Sequence, residues 1–135
     1  MLILDSNTIS YYFRGDPLVV PRLQALRPSD VGVPAIVEYE LRYGLLRLPG
    51  EAAAPRLEAL KQLLRPMQFL PFDSECASHA ARIRVALEAA GIPIGLHDTL
   101  IAATAMRHQA TLVTRNVREF SRVQGLLWLN WHDIV

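Results

Sequence analysis

The sequence predicts an α/β fold in which helices cover both faces of a short, mostly parallel sheet, giving three layers (α/β/α). Short apolar runs typical of strands alternate with longer segments of helical periodicity along nearly the whole chain. The run Met1–Leu4 is apolar throughout, as expected of a central strand buried on both faces. With 135 residues, 51% of them hydrophobic, residues 1–135 are predicted to form a single domain.

Turn and capping residues divide the chain into these elements. Pro17 suits the first position of a helix, Pro49 and Gly50 end another, Asp73 is a candidate N-cap and Gly91 a helix stop. The predicted strands cover residues 1–4, 31–33, 67–70, 111–114 and 127–129. The predicted helices cover about 6–13, 17–26, 34–48, 51–64, 73–90, 96–109 and 117–120.

The composition favours a cytoplasmic protein without a membrane segment. The N-terminus does not resemble a secretory signal, and no apolar run approaches the roughly 18 residues of a membrane span. Cys76 is the only cysteine, which excludes an internal disulfide and a multi-cysteine zinc site. The net charge of +1 is too small to hold nucleic acid by itself. However, Lys61 is the only lysine, and arginine, which dominates the positive charge, suits phosphate partners.

Three acids fall on faces that the periodicity assigns to the interior. Asp5 follows the first strand, at the edge where open α/β sheets bind ligands. Glu40 and Asp98 lie on the apolar stripes of their predicted helices. Three inward carboxylates from separate elements would repel one another and lose hydration unless something neutralised them. A divalent cation is the natural neutraliser.

Each acid also has a purely structural explanation. Asp5 could cap the helix that begins at Ser6. Glu40 could pair with Arg47 on the same stripe, and Asp98 could serve the helix dipole from the first turn. The sequence leaves these explanations open for each residue, but the coincidence of all three favours a metal site.

Oxygen-only donors indicate Mg²⁺ or Mn²⁺, because zinc prefers His or Cys and the four histidines show no ligand spacing. A fourth polar group is expected after the strand that ends at Thr114. Asn116 and Glu119 are the candidates, although ordinary turn chemistry would explain both. Mg²⁺ held by carboxylates binds phosphates and activates water, so hydrolysis of a phosphodiester is the predicted reaction.

Other phosphoryl-transfer folds with acidic sites fit less well. A haloacid-dehalogenase-like phosphatase needs a second aspartate where this chain has Asn7. A receiver domain needs adjacent N-terminal acids and a late lysine, yet the only lysine is Lys61. The sequence contains neither a Gly-rich phosphate loop nor a Gly-x-Ser-x-Gly motif. The nuclease class remains.

Four segments, in order and at matching spacing, resemble the PIN domain and, within it, the VapC-type toxins. They are Leu4–Asn7, Glu40–Gly44, Pro93–Ala103 and Thr111–Phe120. The resemblance runs from Met1 to Trp131 and implies a PIN-like fold for nearly the whole chain.

The resemblance implies that Asp5, Glu40 and Asp98 are the metal-site carboxylates of a PIN active site. Many PIN domains have an aspartate where this chain has Asn116, so either Asn116 or the acid at Glu119 would complete the site. Whether one or two metal ions bind stays open at this level.

Hydroxyl and arginine side chains flank the acids. Ser6 stands where this family often has Thr, and Thr114 matches a small hydroxyl residue lining the site; both would orient ligands or phosphate. Arginines near the acidic motifs are candidates for contacts with RNA phosphates, although each could equally be a solvated surface residue. They are Arg14, Arg42, Arg115 and Arg118.

The resemblance further implies an endoribonuclease, dependent on Mg²⁺ or Mn²⁺, that cuts structured RNA such as tRNA or rRNA and thereby inhibits translation. As the toxin of a type II pair it would form a homodimer. A VapB-like antitoxin would lay its C-terminal segment in a groove over the early helices and insert an arginine among the acids. Candidate groove residues, which could equally be core, are Tyr11, Tyr12, Phe13, Leu45 and Leu46.

Two other functions compete. A catalytically weak PIN-like module that binds RNA or protein is favoured by Asn116, but such a module has no use for three costly inward acids. A DNA nuclease related to flap nucleases would need segments for which the chain is too short. Aromatic residues make up only 7% of the chain, which gives no reason to predict a base-stacking platform.

Overall fold

A computed structural model describes residues 1–133 of the chain. The strands are β1 (Leu2–Leu4), β2 (Val31–Pro34), β3 (Gln68–Leu70), β4 (Thr111–Val113) and β5 (Leu127–Leu129). The helices are α1 (Ser6–Phe13), α2 (Val20–Gln24), α3 (Ala35–Leu46), α4 (Gly50–Leu64), α5 (Ser74–Ala89), α6 (Leu96–Arg107) and α7 (Val117–Phe120), with a 3₁₀ turn at Pro28–Asp30.

The strands form one sheet in the order β3-β2-β1-β4-β5, and every neighbouring pair is parallel. β1 is central because both faces of the strand are apolar, and Ile3 and Leu4 are almost completely buried. From β1 the chain moves outward to β2 and β3, and then returns to the other side of β1 for β4 and β5. The parallel sheet with helices between its strands confirms the α/β fold class. Because crossovers between parallel strands are right-handed as a rule, this strand order assigns α1–α4 to one face and α5–α7 to the other.

The order of strands reverses between β1 and β4. At such a point the loops that leave the two carboxyl ends go to opposite faces and open a crevice, which is where α/β sheets bind ligands. The loop after β1 begins with Asp5, and the loop after β4 begins with Thr114.

The second helix is shorter than the predicted span 17–26. The carboxylate of Asp16 accepts a hydrogen bond from the Leu18 N–H (2.8 Å), which holds this segment in a turn. Pro21, and not Pro17, then occupies the first turn of α2. The prediction that Pro17 starts the helix was therefore wrong.

The predicted ends of other helices agree with the structure to within about two residues. Asp73 caps α5 by accepting from the Cys76 N–H (2.9 Å), and Gly91 ends that helix region with a positive φ of 74°, both as predicted. α6 ends at Arg107, two residues before the predicted end, because Gln109 adopts a left-handed φ of 52°. Among residues 1–133, no helix combines the length and the apolar character needed to cross a membrane.

Candidate active site

Four acids and one amide gather at the carboxyl edge of the sheet, around the point where the strand order reverses. Asp5 follows β1 directly, and Asn116 and Glu119 follow β4. α3 and α6 bring Glu40 and Asp98 to the same edge. Glu119, Glu40 and Asp5 all contribute charge that raises the pKa of Asp98, so the four carboxylates lie within electrostatic reach of one another.

Asp5 is the most buried of these acids, with 5% of its surface exposed. Its Oδ1 accepts hydrogen bonds from the Thr8 backbone N–H (2.8 Å) and from Thr8 Oγ1 (2.6 Å). Its Oδ2 accepts from Thr114 Oγ1 (2.6 Å). Asp5 is therefore the N-cap of α1 and part of the acid cluster at the same time. Its role as a helix cap does not exclude its proposed role in a metal site.

Glu40 is oriented by two partners from other elements. Ser6 Oγ donates to Glu40 Oε1 (3.1 Å), and His97 Nδ1 lies 3.3 Å from Glu40 Oε2. The alternative pairing of Glu40 with Arg47 was wrong, because the Arg47 guanidinium lies over the ring of Tyr43, 5.0 Å from its centroid.

Asp98 and Glu119 form a pair of neighbouring carboxylates bridged by an amide. Asn116 Nδ2 lies 3.5 Å from Asp98 Oδ2 and 3.4 Å from Glu119 Oε2. The pKa of Asp98 is raised to about 8, chiefly by burial and then by the hydrogen bond to Glu119 and by the neighbouring negative charges. The pKa of Glu119 is lowered, chiefly because Asp98 donates a hydrogen bond to it.

The structure does not single out Asn116 or Glu119 as the fourth polar group, because both side chains lie in the site. The Asn116 backbone N–H also donates to Thr114 Oγ1 (3.0 Å), and the same hydroxyl donates to Asp5. Thr114 thus connects the loop after β4 to the carboxylate after β1. Ser6 and Thr114, predicted as supporting residues, each hold one of the acids.

The arginines predicted to contact RNA differ in their surroundings. Arg42 forms an ion pair with Glu38 on the polar side of α3, with 3.0 Å between Arg42 Nε and Glu38 Oε2. Arg14 and Arg115 each lie over the ring of Tyr11, with their guanidinium carbons 5.9 and 5.7 Å from its centroid. The exposed members of the set are Arg14, Arg115 and Arg118.

A groove of about 1000 Å³ begins beside Glu40 and continues between α1, α3 and α4. Of the predicted groove residues, Phe13 and Leu45 line it, and Arg14 lies on its wall. Residues predicted for the groove that do not line it are Tyr11, Tyr12 and Leu46. Tyr12 instead lines a separate pocket of about 290 Å³.

Two residues of the site were missed from the sequence. Thr8 donates twice to Asp5, and its signal was the capping distance of three residues after a candidate N-cap. His97 contacts Glu40, and its signal was its place beside Asp98 in the first turn of α6. The histidines had been set aside because they lack metal-ligand spacing, but His97 acts here as a partner of a carboxylate.

The donor set fits a hard divalent cation. Carboxylate oxygens with an amide nearby are typical of Mg²⁺ and Mn²⁺ sites. The raised pKa of Asp98 reflects chiefly its burial and, in addition, the negative charge of neighbouring acids, which such an ion would neutralise. Among residues 1–133, no three His, Cys, Asp or Glu side chains are grouped tightly enough in their present orientations to share one ion. Both oxygens of Asp5 are directed at threonine hydroxyls, which accounts for part of this spread.

Comparison with known proteins gives consistent results. The sequence is 37% identical to Toxin FitB of Neisseria gonorrhoeae over 98% of this chain and 100% of that protein. It is 29% identical to the tRNA(fMet)-specific endonuclease VapC of Salmonella typhimurium over 96% of each chain.

Solved structures agree. The fold matches FitAcB from Neisseria gonorrhoeae with a TM-score of 0.89, 35% identity and coverage of 98% of this chain and 100% of that one. It matches VapBC2 from Rickettsia felis, bound to a DNA fragment from its promoter, with a TM-score of 0.87, 29% identity and coverage of 96% and 98%. The PIN domain family model matches residues 2–126. The chain therefore belongs to the PIN domain family.

Proposed function

We propose that residues 1–135 form one nuclease domain, a metal-dependent endoribonuclease that is the toxin of a type II toxin–antitoxin pair. Its substrate would be structured RNA such as tRNA or rRNA, and cleavage would inhibit translation. The observation that carries the proposal is the convergence of Asp5, Glu40, Asp98 and Glu119 at one edge of the sheet, with the pKa of Asp98 raised to about 8. Relatives named as a toxin and as a tRNA endonuclease support it.

The proposed cofactor is Mg²⁺ or Mn²⁺, held by Asp5, Glu40 and Asp98, with Glu119 and Asn116 beside them. Lewis-acid stabilisation of phosphoryl oxygens and of the attacking water is what a bound divalent cation supplies in such sites. PIN-domain ribonucleases generally use divalent metal ions. The number of ions is left to experiment.

The protein groups orient the reacting parts. Thr8 and Thr114 hold Asp5 in one direction, while Ser6 and His97 hold the two oxygens of Glu40. These partners come from rigid elements and adjacent loops, so the carboxylates need little reorganisation during the reaction.

Glu119 differs from the three proposed ligands because it lies beside Asp98, with Asn116 between them, and is not itself assigned to the metal. Its carboxylate can take up the proton that an attacking water loses. Asn116 keeps the two carboxylates side by side.

The proposed partners are a VapB-like antitoxin, the RNA substrate and a second copy of the chain in a homodimer, all in the cytoplasm. The groove beside Glu40 supports the antitoxin proposal, because a peptide lying in it would end at the acids. Phe13 and Leu45 offer apolar contacts, and Arg14 lies on the wall of the same groove.

The decisive experiment measures cleavage of total tRNA by purified wild type, Asp5→Asn and Asp98→Asn, each with Mg²⁺, with Mn²⁺ and with EDTA. Glu58→Gln is the matched control, because Glu58 is an exposed acid on α4 outside the site. We expect wild type and Glu58→Gln to cut at discrete positions only with metal. Both asparagine variants should lose cleavage by at least about 100-fold, since charge that stabilises the transition state contributes this much.

Metal-independent cleavage, or asparagine variants that cut as fast as wild type, would contradict the proposal. If wild type binds tRNA tightly and never cuts it, the alternative of a catalytically weak binding module replaces the nuclease. Thermal melts of all variants separate loss of activity from loss of folding.

A further inference from the structure

One tyrosine and three basic side chains form a cluster next to the candidate active site. The guanidinium carbons of Arg14 and Arg115 lie 5.9 and 5.7 Å from the centroid of the Tyr11 ring. The ring of His132 meets the same tyrosine at 5.0 Å and 64°. We call Tyr11, Arg14, Arg115 and His132 the Tyr11 cluster. It joins α1, the loop after β4 and the turn after β5.

Hydrogen bonds fix the tyrosine in place. His132 Nε2 lies 2.9 Å from Asp16 Oδ2, and these side chains are only 11% and 18% exposed. The Asp16 backbone N–H donates to the carbonyl of Tyr11 (3.0 Å), and the His132 N–H donates to Asn130 Oδ1 (2.9 Å). The loop after α1 and the C-terminal turn are thus tied together around the ring, so Tyr11 is a fixed support for the two guanidinium groups.

Against the described residues 1–133, the hydrogen-bond donors of the two arginines are free. Within residues 1–133, neither Arg14 nor Arg115 forms a side-chain hydrogen bond or an ion pair, and both are exposed. Arg42 and Arg107, in contrast, are bound to protein acids. A guanidinium attracted to a ring by its charge uses none of its N–H groups for that contact, so these groups stay available for an oxyanion.

The cluster is connected to the acids through the loop after β4. The hydroxyl of Thr114 donates to Asp5, and Arg115 is the next residue, so the α-carbons of Thr114 and Arg115 are about 3.8 Å apart. Four carboxylates on their own would repel an RNA backbone, and two preoriented positive charges beside them offset this repulsion.

We infer that the Tyr11 cluster binds an RNA backbone phosphate next to the cleaved bond, with Arg14 and Arg115 as phosphate ligands and Tyr11 as the positioning residue. This inference rests on the proposed ribonuclease function. It predicts that the ring of Tyr11 matters and its hydroxyl does not, because only the ring supports the guanidinium groups.

The test compares wild type with Arg14→Gln, Arg115→Gln, Tyr11→Leu and Tyr11→Phe. Steady-state cleavage of total tRNA gives kcat and KM, and tRNA binding in EDTA at several salt concentrations gives the salt dependence. Arg65→Gln is the matched control, because Arg65 is exposed and precedes β3, at the opposite edge of the sheet.

We expect each glutamine variant to raise KM about three- to tenfold with kcat changed less than about twofold, and to lower the salt slope by about one. Tyr11→Leu should reproduce the rise in KM, while Tyr11→Phe and Arg65→Gln should behave as wild type. Because Arg14 and Arg115 are exposed, their variants carry the test even if Tyr11→Leu fails to fold.

Unchanged KM and salt slope in both glutamine variants would overturn the inference. So would arginine variants that cut normally but escape inhibition by the antitoxin, since the cluster would then bind a protein partner. If wild type cuts no RNA, the proposed function fails. The binding measurements in EDTA still test the cluster in that case, because a salt slope that is the same in both glutamine variants and in wild type would overturn the inference by itself.

Discussion

Asp5 is a carboxylate in nearly complete burial, and the fold supplies three hydrogen bonds to hold it. Two of them come from Thr8, which is fixed because its backbone N–H belongs to the first turn of α1. The third comes from Thr114, which is itself buried at 1% exposure. Burying a carboxylate without hydrogen-bond partners would destabilise the fold by more than such bonds normally stabilise it. The threonines are therefore needed for a buried acid at this position.

Replacing Thr114 with Val should test this dependence. The shape is kept, but Asp5 Oδ2 loses its donor and the Asn116 N–H loses its acceptor, so unfolding free energy should fall by about 1–3 kcal/mol. Cleavage should fall as well, because Asp5 is no longer held. Urea denaturation and tRNA cleavage measure both effects, and Thr114→Ser should preserve them. Equal stability of Thr114→Val and wild type would show that the hydroxyl does not support Asp5.

Asp98 should make the metal-free protein less stable as pH rises. Its folded pKa of about 8 lies above the ordinary aspartate value of 3.8, so between these values the folded state holds a proton that the unfolded state has lost. Stability therefore falls with increasing pH across this window. Asp98→Asn carries no ionisable group, so in EDTA it should melt at a higher temperature than wild type at pH 8.

The difference between Asp98→Asn and wild type should shrink as pH falls to 4, because the carboxyl stays protonated in the folded state and becomes increasingly protonated in the unfolded state. Melting temperatures measured from pH 4 to 8 in EDTA test this. A constant difference at every pH would mean that the titration of Asp98 does not contribute, and a lower melting temperature for Asp98→Asn at pH 8 would reverse the expected sign.

At the scale of elements, the sequence predicted what depends on local patterns. The apolar run before Asp5 predicted β1, and the capping position of Asp73 predicted the start of α5. The start of α2 was wrong because the Asp16 turn and the position of Pro21 compete with the preference of Pro17. Periodicity cannot decide which of two prolines a helix uses.

In the candidate site, too, the sequence predicted the features that depend on local patterns. Asp5, Glu40 and Asp98 were found because each places a charge on a face predicted to be buried. His97 and Thr8 were missed because their roles depend on partners, Glu40 and Asp5, whose positions only the folded chain fixes. The grouping of Arg14 and Arg115 on one ring likewise joins parts of the chain that no local pattern connects.

Two glycines give a paired prediction about their elements. A Cβ on Gly32 of β2 would lie 2.7 Å from Leu70 Cδ1 and 2.9 Å from Met1 Sδ, so Gly32→Ala should destabilise by about 1–3 kcal/mol. A Cβ on Gly44 of α3 would meet nothing within 4 Å, so Gly44→Ala should stabilise by about 0.5–1 kcal/mol. Urea denaturation of both variants checks the opposite signs. Equal effects would mean that strand packing around Gly32 is looser than the contacts indicate.

At the scale of the whole molecule, a net charge of +1 includes a local concentration of negative charge at the site. The four carboxylates lie at one edge of the sheet, and Arg42, Arg115 and Arg118 are close to them in sequence. An ion that neutralises the acids acts on elements from both halves of the chain, because Asp5 and Glu40 come from the first half and Asp98 and Glu119 from the second. Metal binding should therefore stabilise the entire fold.

This coupling gives the last prediction. A ligand that binds only the folded state adds stability that grows with its concentration, reaching about 2.7 kcal/mol at one hundred times its Kd. Titrating EDTA-treated wild type with Mn²⁺ or Mg²⁺ should raise its melting temperature progressively. Asp98→Asn should require a much higher metal concentration for the same rise, whereas Glu58→Gln, altered at an exposed acid outside the site, should follow wild type. If the Asp98→Asn curve coincides with that of wild type, the ion stabilises the protein from another position and the proposed ligand set is wrong.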